Sequence, residues 1–535
     1  MHESRYTFGY VGDEFLYAQR VQPLIAGTTA TNTMNGVGDP AVISPFYLED
    51  SVRAFLTVTK IDTISFIWIW RWLFPLAFAG TFVLLARQCL PRERRTWNSA
   101  LRFSAAAVFP LLYCAYDLVT PFPPLQGFVN RFPTNIEYPL SVLLAWLYLA
   151  FLQSPTAAAG IKLALLSALI AYIRPYLAFP WSITIIAGFG YLIAGKKIGA
   201  RVILATGFTL LLAMGPWMYV SKTNGNSPVF ADMLHRYFGS PGSFEVHKLW
   251  WMYLAFAFVL AVCAVFVERS RRVFVVGATL TLIVLPFICS SMPFASEVLQ
   301  FDRFGSYYLV VSLAGVLLAI GSRSSRWRGK RGEAYAKKMG STLLGASVFA
   351  SGILALINVT YDFAQYPQGP IPSIRRDLPF VPAYTWLREN SPRDALVLVD
   401  DGYDWSINPK RTPSGLPIVS GFAPDGTYIL ANDDVFQLVA RRRRVYTHRL
   451  MTCVLSTKDL TQLAYLQRGT FGLPIPKERY DTALQNFRPS YILWRKNAGA
   501  PVPRGFGATL KPISSTVYQD DVCEIWKLDI PPSQK

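Results

Sequence analysis

Two adjacent carboxylates, Asp13 and Glu14, head a short helical pattern between Gly9 and Gln22. Their type and position suit them to proton transfer. Gly12 permits a tight turn, Asp13 can cap the helix, and Phe15, Leu16, Ala18 and Val21 give it an apolar side. The positive end of the helix dipole favours the ionised form of a carboxylate placed there, which leaves it able to act as a general base. A plainer alternative has Asp13 only capping the helix and Glu14 only solvated. The same pair could hold a divalent cation through its oxygens. No other cofactor is implied, because His2, His235, His247 and His448 make no ligand-spaced pair and the sequence has no CxxC.

The rest of the chain must position that pair. Its 535 residues are 52% hydrophobic, 14% aromatic and only 16% charged, too apolar for an ordinary soluble protein. A membrane protein is expected. The net charge of +19 sits largely in short loops beside apolar segments, where membrane topology explains it better than nucleic-acid binding does. No nucleic-acid partner is expected.

Apolar segments of the length that crosses a bilayer recur from Ile64 onward, about ten of them. They span 64–87, 100–119, 137–153, 157–173, 176–195, 201–220, 249–267, 273–291, 304–321 and 340–359. Alternate loops carry Arg87, Arg92, Arg94 and Arg95, then Lys162, then Lys196, Lys197 and Arg201, then Arg269, Arg271 and Arg272, then a basic run from Arg323 to Lys338. Intervening loops carry only Arg131, Arg174, Lys222, Arg236, Lys248 and Arg303. The positive-inside rule places the first set in the cytoplasm. Three regions follow: an extracytoplasmic acidic-motif loop at 1–63, a transmembrane helical domain at 64–359, and an extracytoplasmic soluble α/β domain at 360–535. No cleavable leader opens the sequence, so an outward residue range 1–63 leads us to expect a further transmembrane helix upstream.

In the last region Pro379–Asn390 reads as a helix and Ala395–Val399 as a strand, with later helices at Leu460–Gln467 and Arg479–Asn486 and strands at Tyr491–Trp494 and Val522–Leu528. Arg441 to Arg444 form a run of four arginines, read as a solvated or lipid-headgroup-facing patch. Arg71, among Trp68, Trp70 and Trp72, is either functional or a snorkelling residue in an aromatic belt. Cys453 and Cys523 share the outward region, where a disulfide is permitted.

The outward Gly12-Asp13-Glu14, the row of apolar helices, Asp302-Arg303 ahead of Phe304–Ile320, and the tail motifs Trp386-Leu-Arg-Glu-Asn-Ser-Pro392 and Val517-Tyr-Gln-Asp-Asp-Val-Cys-Glu-Ile-Trp526 together resemble GT-C-type membrane glycosyltransferases. The layout is similar to that of the protein mannosyltransferase and aminoarabinose transferase group. The resemblance implies an inverting enzyme of the bacterial cytoplasmic membrane that moves a sugar from a polyprenyl-phosphate donor to a glycan, lipid or protein acceptor. Asp13, and second Glu14, would then be the catalytic base. Arg131, Arg174, His235, Arg236 and Arg303, with Asp302 to orient Arg303, would meet the lipid phosphate. Each of these, taken singly, could instead anchor a helix at the interface. Two other classes remain open: a noncatalytic scaffold displaying the C-terminal domain, and a transporter, though no internal repeat is visible.

Overall fold

The computed structural model describes residues 47–90, 96–101, 104, 136–173, 175–225, 246–290, 305–326, 378–399, 404–411, 417–422, 436–445, 457–471, 475–496 and 513–530. The N-terminal part is helical: α1 (Tyr47–Thr59), α2 (Thr63–Cys89), α3 (Glu137–Gln153), α4 (Ala157–Ile173), α5 (Pro175–Ala194), α6 (Ala200–Gly225), α7 (Val246–Phe266), α8 (Arg269–Ser290) and α9 (Gly305–Arg326). Predicted spans that fall within the described residues are helices, with ends shifted by a few residues. The predicted spans 100–119 and 340–359 lie outside them, apart from the helical start at 97–101. Part of the segment read as an acidic-motif loop differs from expectation, since Tyr47–Thr59 is a helix. Its apolar face carries Leu56, which is buried against the C-terminal part of the chain.

Helix α3 lies at the centre of the bundle, touching α2, α4, α5, α8 and α9, while α6 packs mainly on α4. Tyr148 of α3 donates to the Thr184 carbonyl of α5 at 2.8 Å. Gly188 makes that approach feasible, because a Cβ there would collide with the Tyr148 hydroxyl.

Helix α2 begins at Asp62, whose Oδ2 accepts from the Ser65 N–H at 3.1 Å and caps the helix. Phe66, Trp70, Phe74, Phe78 and Phe82 recur every fourth residue and so share one face. Their successive ring centroids lie 6.5, 6.3, 6.2 and 5.9 Å apart. Phe74, Phe78 and Phe82 are buried in the bundle, whereas Phe66 and Trp70 also pack on the α/β core. One helix therefore belongs to both cores. Arg71 falls within α2 at the position predicted for it.

After a short 3-10 turn (Leu378–Phe380) come α10 (Val381–Asn390), β1 (Leu396–Val399), β2 (Asp404–Arg411), β3 (Pro417–Phe422), α11 (Phe436–Ala440), β4 (Arg443–Arg444), α12 (Thr457–Phe471), α13 (Lys477–Phe487), β5 (Tyr491–Arg495), β6 (Ser514–Gln519) and β7 (Cys523–Leu528). The five-stranded sheet has the order β4-β1-β5-β7-β6, with β1 parallel to β4 and β5, and β7 antiparallel to β5 and β6. Strands β2 and β3 form a separate antiparallel pair.

The period of two along each strand divides the core. Val397, Val399, Tyr491, Leu493, Cys523 and Ile525 face α10, α11 and α1, while Leu396, Leu398, Ile492, Trp494, Trp526 and Leu528 face α12 and α13. Both sheet faces are thus covered, which is why β1 and the Tyr491–Trp494 part of β5 are apolar, with the buried Arg495 at the end of β5 donating to the Tyr384 hydroxyl at 2.6 Å.

The arginine run is not a uniform surface patch. Arg441, with φ 51°, sits at the end of α11 and reaches Asp62 at 3.2 Å, where both side chains are exposed (51% and 40%). Arg442 is 5% exposed. Its Nε donates to Ser391 Oγ at 2.8 Å, and its Nη2 to the carbonyls of Arg388 at 2.5 Å and Ser391 at 2.6 Å. Those are carbonyls that the end of α10 leaves without helical partners. Burial, with repulsion from Arg393, pulls the Arg442 guanidinium below its ordinary pKa, but its hydrogen bonds require the charged fork. Arg443 and Arg444 form β4.

The second tail motif closes the β6–β7 hairpin. Asp520 Oδ1 accepts from the N–H groups of Val522 and Cys523 at 2.9 and 2.7 Å, and Oδ2 from the Tyr518 hydroxyl at 2.8 Å. Burial alone would raise the Asp520 carboxyl; these hydrogen bonds outweigh it and hold the group below the usual carboxylate range. Cys523 is a free, buried thiol pushed up to about 12 by burial and the Asp520 charge, and Cys453 lies outside the described residues.

Candidate functional site

Asp13, Glu14, Arg131, Arg174, His235, Arg236, Asp302 and Arg303 all lie outside the described residues. The described helices fix the points between which these residues run. At one end of the bundle, Gln88 of α2 donates to Gln153 of α3 at 3.1 Å, Arg271 of α8 donates to the Cys89 carbonyl at 2.8 Å, and the Glu268 N–H ahead of α8 meets Ser322 of α9 at 3.1 Å. These contacts gather the C-terminal ends of α2, α3 and α9 with the start of α8. We call this the basal end.

Contacts toward the other end gather the opposite termini. Trp181, early in α5, donates to Ser141 in the first turns of α3 at 3.4 Å and meets Tyr307 at the start of α9 edge-on, 5.1 Å between centroids. Thr184 Oγ1 lies 2.6 Å from the Tyr307 hydroxyl and 2.9 Å from Thr281 Oγ1 in the second half of α8. Late in α4, Tyr172 donates to the Ala213 carbonyl of α6 at 2.8 Å, and α1 touches α4. Phe256 of α7 stacks on Tyr308 at 6.1 Å. The starts of α2, α3, α5, α7 and α9 and the ends of α4, α6 and α8 therefore share one end, where α1 and the α/β part also sit.

Several of the helix termini at that end are next in sequence to candidate residues. Ile136 and Glu137 follow Arg131; Ile173 and Pro175 bracket Arg174; Gly225 and Val246 bracket His235 and Arg236; and Ser290 and Gly305 bracket Asp302 and Arg303, whereas no described element adjoins Asp13 and Glu14 in sequence. Toward that end the hydroxyls of Thr184, Thr281 and Tyr307 are buried and hydrogen-bonded to one another, and Trp181 donates to the buried Ser141 hydroxyl, so that these contacts tie α3, α5, α8 and α9.

Sequence reasoning passed over Glu137. It is 7% exposed in the first turn of α3, where the helix dipole favours a carboxylate. A single acid before an apolar run gives little signal of burial; its place in the bundle reveals it. Among the described residues no group of three or more His, Cys, Asp and Glu side chains could hold a metal ion.

No family model matches the chain, and no curated protein matches it. Among solved structures, the chain is similar to ArnT from Cupriavidus metallidurans in the apo state, at 12% identity and a TM-score of 0.49, over 96% of this chain and 92% of that one. It is similar to the Archaeoglobus fulgidus oligosaccharyltransferase in complex with Zn and sulfate at 12% identity and a TM-score of 0.42, over 90% of this chain and 64% of that one. The chain thus spans less than two thirds of that protein's length. The same oligosaccharyltransferase, tethered by a disulfide to an acceptor peptide containing the NVT sequon, matches at 11% identity and a TM-score of 0.40, over 90% and 68%. ArnT and the oligosaccharyltransferase are GT-C glycosyltransferases.

Proposed function

We propose that this chain is a multi-pass glycosyltransferase of the GT-C type in the bacterial cytoplasmic membrane, transferring a sugar from a polyprenyl-phosphate donor to a cell-envelope acceptor. The observation that carries the reading is the convergence of the helix ends next in sequence to Arg131, Arg174, His235, Arg236, Asp302 and Arg303 on the end of the bundle where α1 and the α/β part are anchored. Bilayer embedding is supported by the outer surface of the bundle. Leu76, Leu204 and Phe258 are 69–70% exposed there, alongside Ile186, Phe208 and Leu211, a density of exposed apolar groups that water does not tolerate. Among the described residues one helical stretch, Leu177–Ala194, is long and apolar enough by length and composition to cross a membrane, and shorter apolar stretches lie in α2, α3, α4, α6, α7 and α9. Helix α2, at 27 residues, is about 40 Å long, more than the hydrocarbon thickness.

Orientation follows from charge. The basal end carries Arg87, Lys196, Lys197, Arg201, Arg269, Arg271 and Arg272, and faces the cytoplasm in this reading. The opposite end then meets the polyprenyl phosphate at the outer surface. Asp13 takes the proton of the acceptor hydroxyl as it attacks the anomeric carbon, with Glu14 as the second choice, and the outward arginines and His235 stabilise the departing phosphate.

The test is transfer by the purified full chain in proteoliposomes, offered a panel of polyprenyl-phosphate sugars and extracted envelope acceptors. Transfer from one donor is expected. No transfer from any donor, by a chain shown to be inserted, would favour a scaffold that displays its C-terminal domain.

A further inference from the structure

From the basal end, α5 and α8 form an open groove of about 340 Å³, within the usual range for small-ligand sites. Its wall has two parts. Arg269, Arg272 and Tyr191 line the mouth, and Ala187, Gly277 and Leu280 continue it along the helices as apolar surface. No carboxylate lines it.

The neighbouring arginines divide their work. Arg271 is buried and donates to the Cys89 and Leu90 carbonyls at 2.8 and 3.4 Å, so it serves the bundle. Arg269 and Arg272 are exposed and face the groove, Arg272 using one donor on the Val267 carbonyl at 3.2 Å. Lys197 Nζ donates to the Tyr191 hydroxyl at 3.1 Å and lies 4.8 Å from the ring centroid, bringing a third cation to the rim. Gly277 lets α8 lie close against α5: a Cβ there would sit 3.3 Å from the Thr184 carbonyl and 3.6 Å from the Ala187 side chain. Val276 and Leu280, 41% and 49% exposed, extend the apolar wall. From Arg272 to Leu280 it runs about 12 Å along the helix axis.

We propose that this groove binds an anionic phospholipid of the cytoplasmic leaflet, its phosphate held by Arg269 and Arg272 and one acyl chain laid along Val276, Gly277 and Leu280. The inference rests on the membrane orientation of the proposed function. Charge complementarity selects the ligand: guanidinium forks match phosphate oxygens, and basic pockets between transmembrane helices on the cytoplasmic side hold anionic headgroups. A soluble anion would leave the apolar wall unused.

Native mass spectrometry of the detergent-purified full chain tests it, with dioleoyl phosphatidylglycerol, dioleoyl phosphatidylcholine and inorganic phosphate titrated separately. Phosphatidylglycerol should be retained in preference to both others. The double substitution Arg269→Gln with Arg272→Gln should lower its occupancy roughly tenfold, while Lys162→Gln, on α4 near the same end, should not change it. Equal retention of the two lipids, or full retention by the double variant, would overturn the site. Binding of inorganic phosphate as strong as that of phosphatidylglycerol would overturn the lipid assignment. A chain that inserts and transfers sugar yet shows no lipid preference would refute this inference alone; a chain that fails to partition into membranes would refute the reading beneath it.

Discussion

Asp13→Asn is expected to lower sugar transfer about a hundredfold or more, the range lost when a general base is removed. The substitution keeps the size and the capping ability of residue 13 but takes away its capacity to accept a proton. Glu14→Gln should retain most of the activity, since Asp13 is the first choice of base. The measurement compares initial transfer rates in proteoliposomes matched for inserted protein. A loss confined to Glu14→Gln would exchange the two roles, and unchanged rates in both variants would remove the pair from the mechanism.

Arg442→Ala is expected to destabilise the α/β part by about 3 kcal/mol, because a charged fork that closes the end of α10 is lost and buried carbonyls are stranded. On a region of this size that is a fall of roughly 6–12 °C in its thermal midpoint, read by limited proteolysis across a temperature ramp. Arg441→Ala, one residue earlier, should cost less than about 1 kcal/mol, since its pairing with Asp62 is exposed to solvent. Equal effects at the two positions would contradict the division of labour between them.

That contrast also marks how far the sequence can be read. Four consecutive arginines carry no internal signal of which one is buried; Arg442 is selected by carbonyls of α10 some fifty residues earlier. The bundle helices were legible because long apolar runs fix both their existence and their approximate ends. Helix α1 was not, since its apolar face packs through Leu56 on a core supplied by residues beyond 380. Strand β6, Ser514–Gln519, is a polar edge strand, and β2 and β3 pair apart from the main sheet, so none of them shows the apolar run that made β1 and β5 readable.

For the candidate site the chemistry came from residue types and the placement from topology. Asp13 and Glu14 could be named from their position at the head of a helix pattern. That the helix ends flanking Arg131, Arg174, His235, Arg236, Asp302 and Arg303 share one end of the bundle follows from contacts such as Trp181 with Ser141 and Tyr307. Glu137 illustrates the converse, an acid whose burial no local pattern announces.

The central claim is that the end of the bundle where α1 and the α/β part sit, and with it the acidic segment, faces away from the cytoplasm in the proposed orientation. Single cysteines placed at Gln19, Glu389 and Lys196 in an otherwise cysteine-free chain, treated with a membrane-impermeant maleimide in right-side-out spheroplasts, test it most directly. Labelling at Gln19 and Glu389, with Lys196 protected until the membrane is permeabilised, is the predicted result. Labelling at Lys196 with protection at the other two would invert the topology and contradict the account.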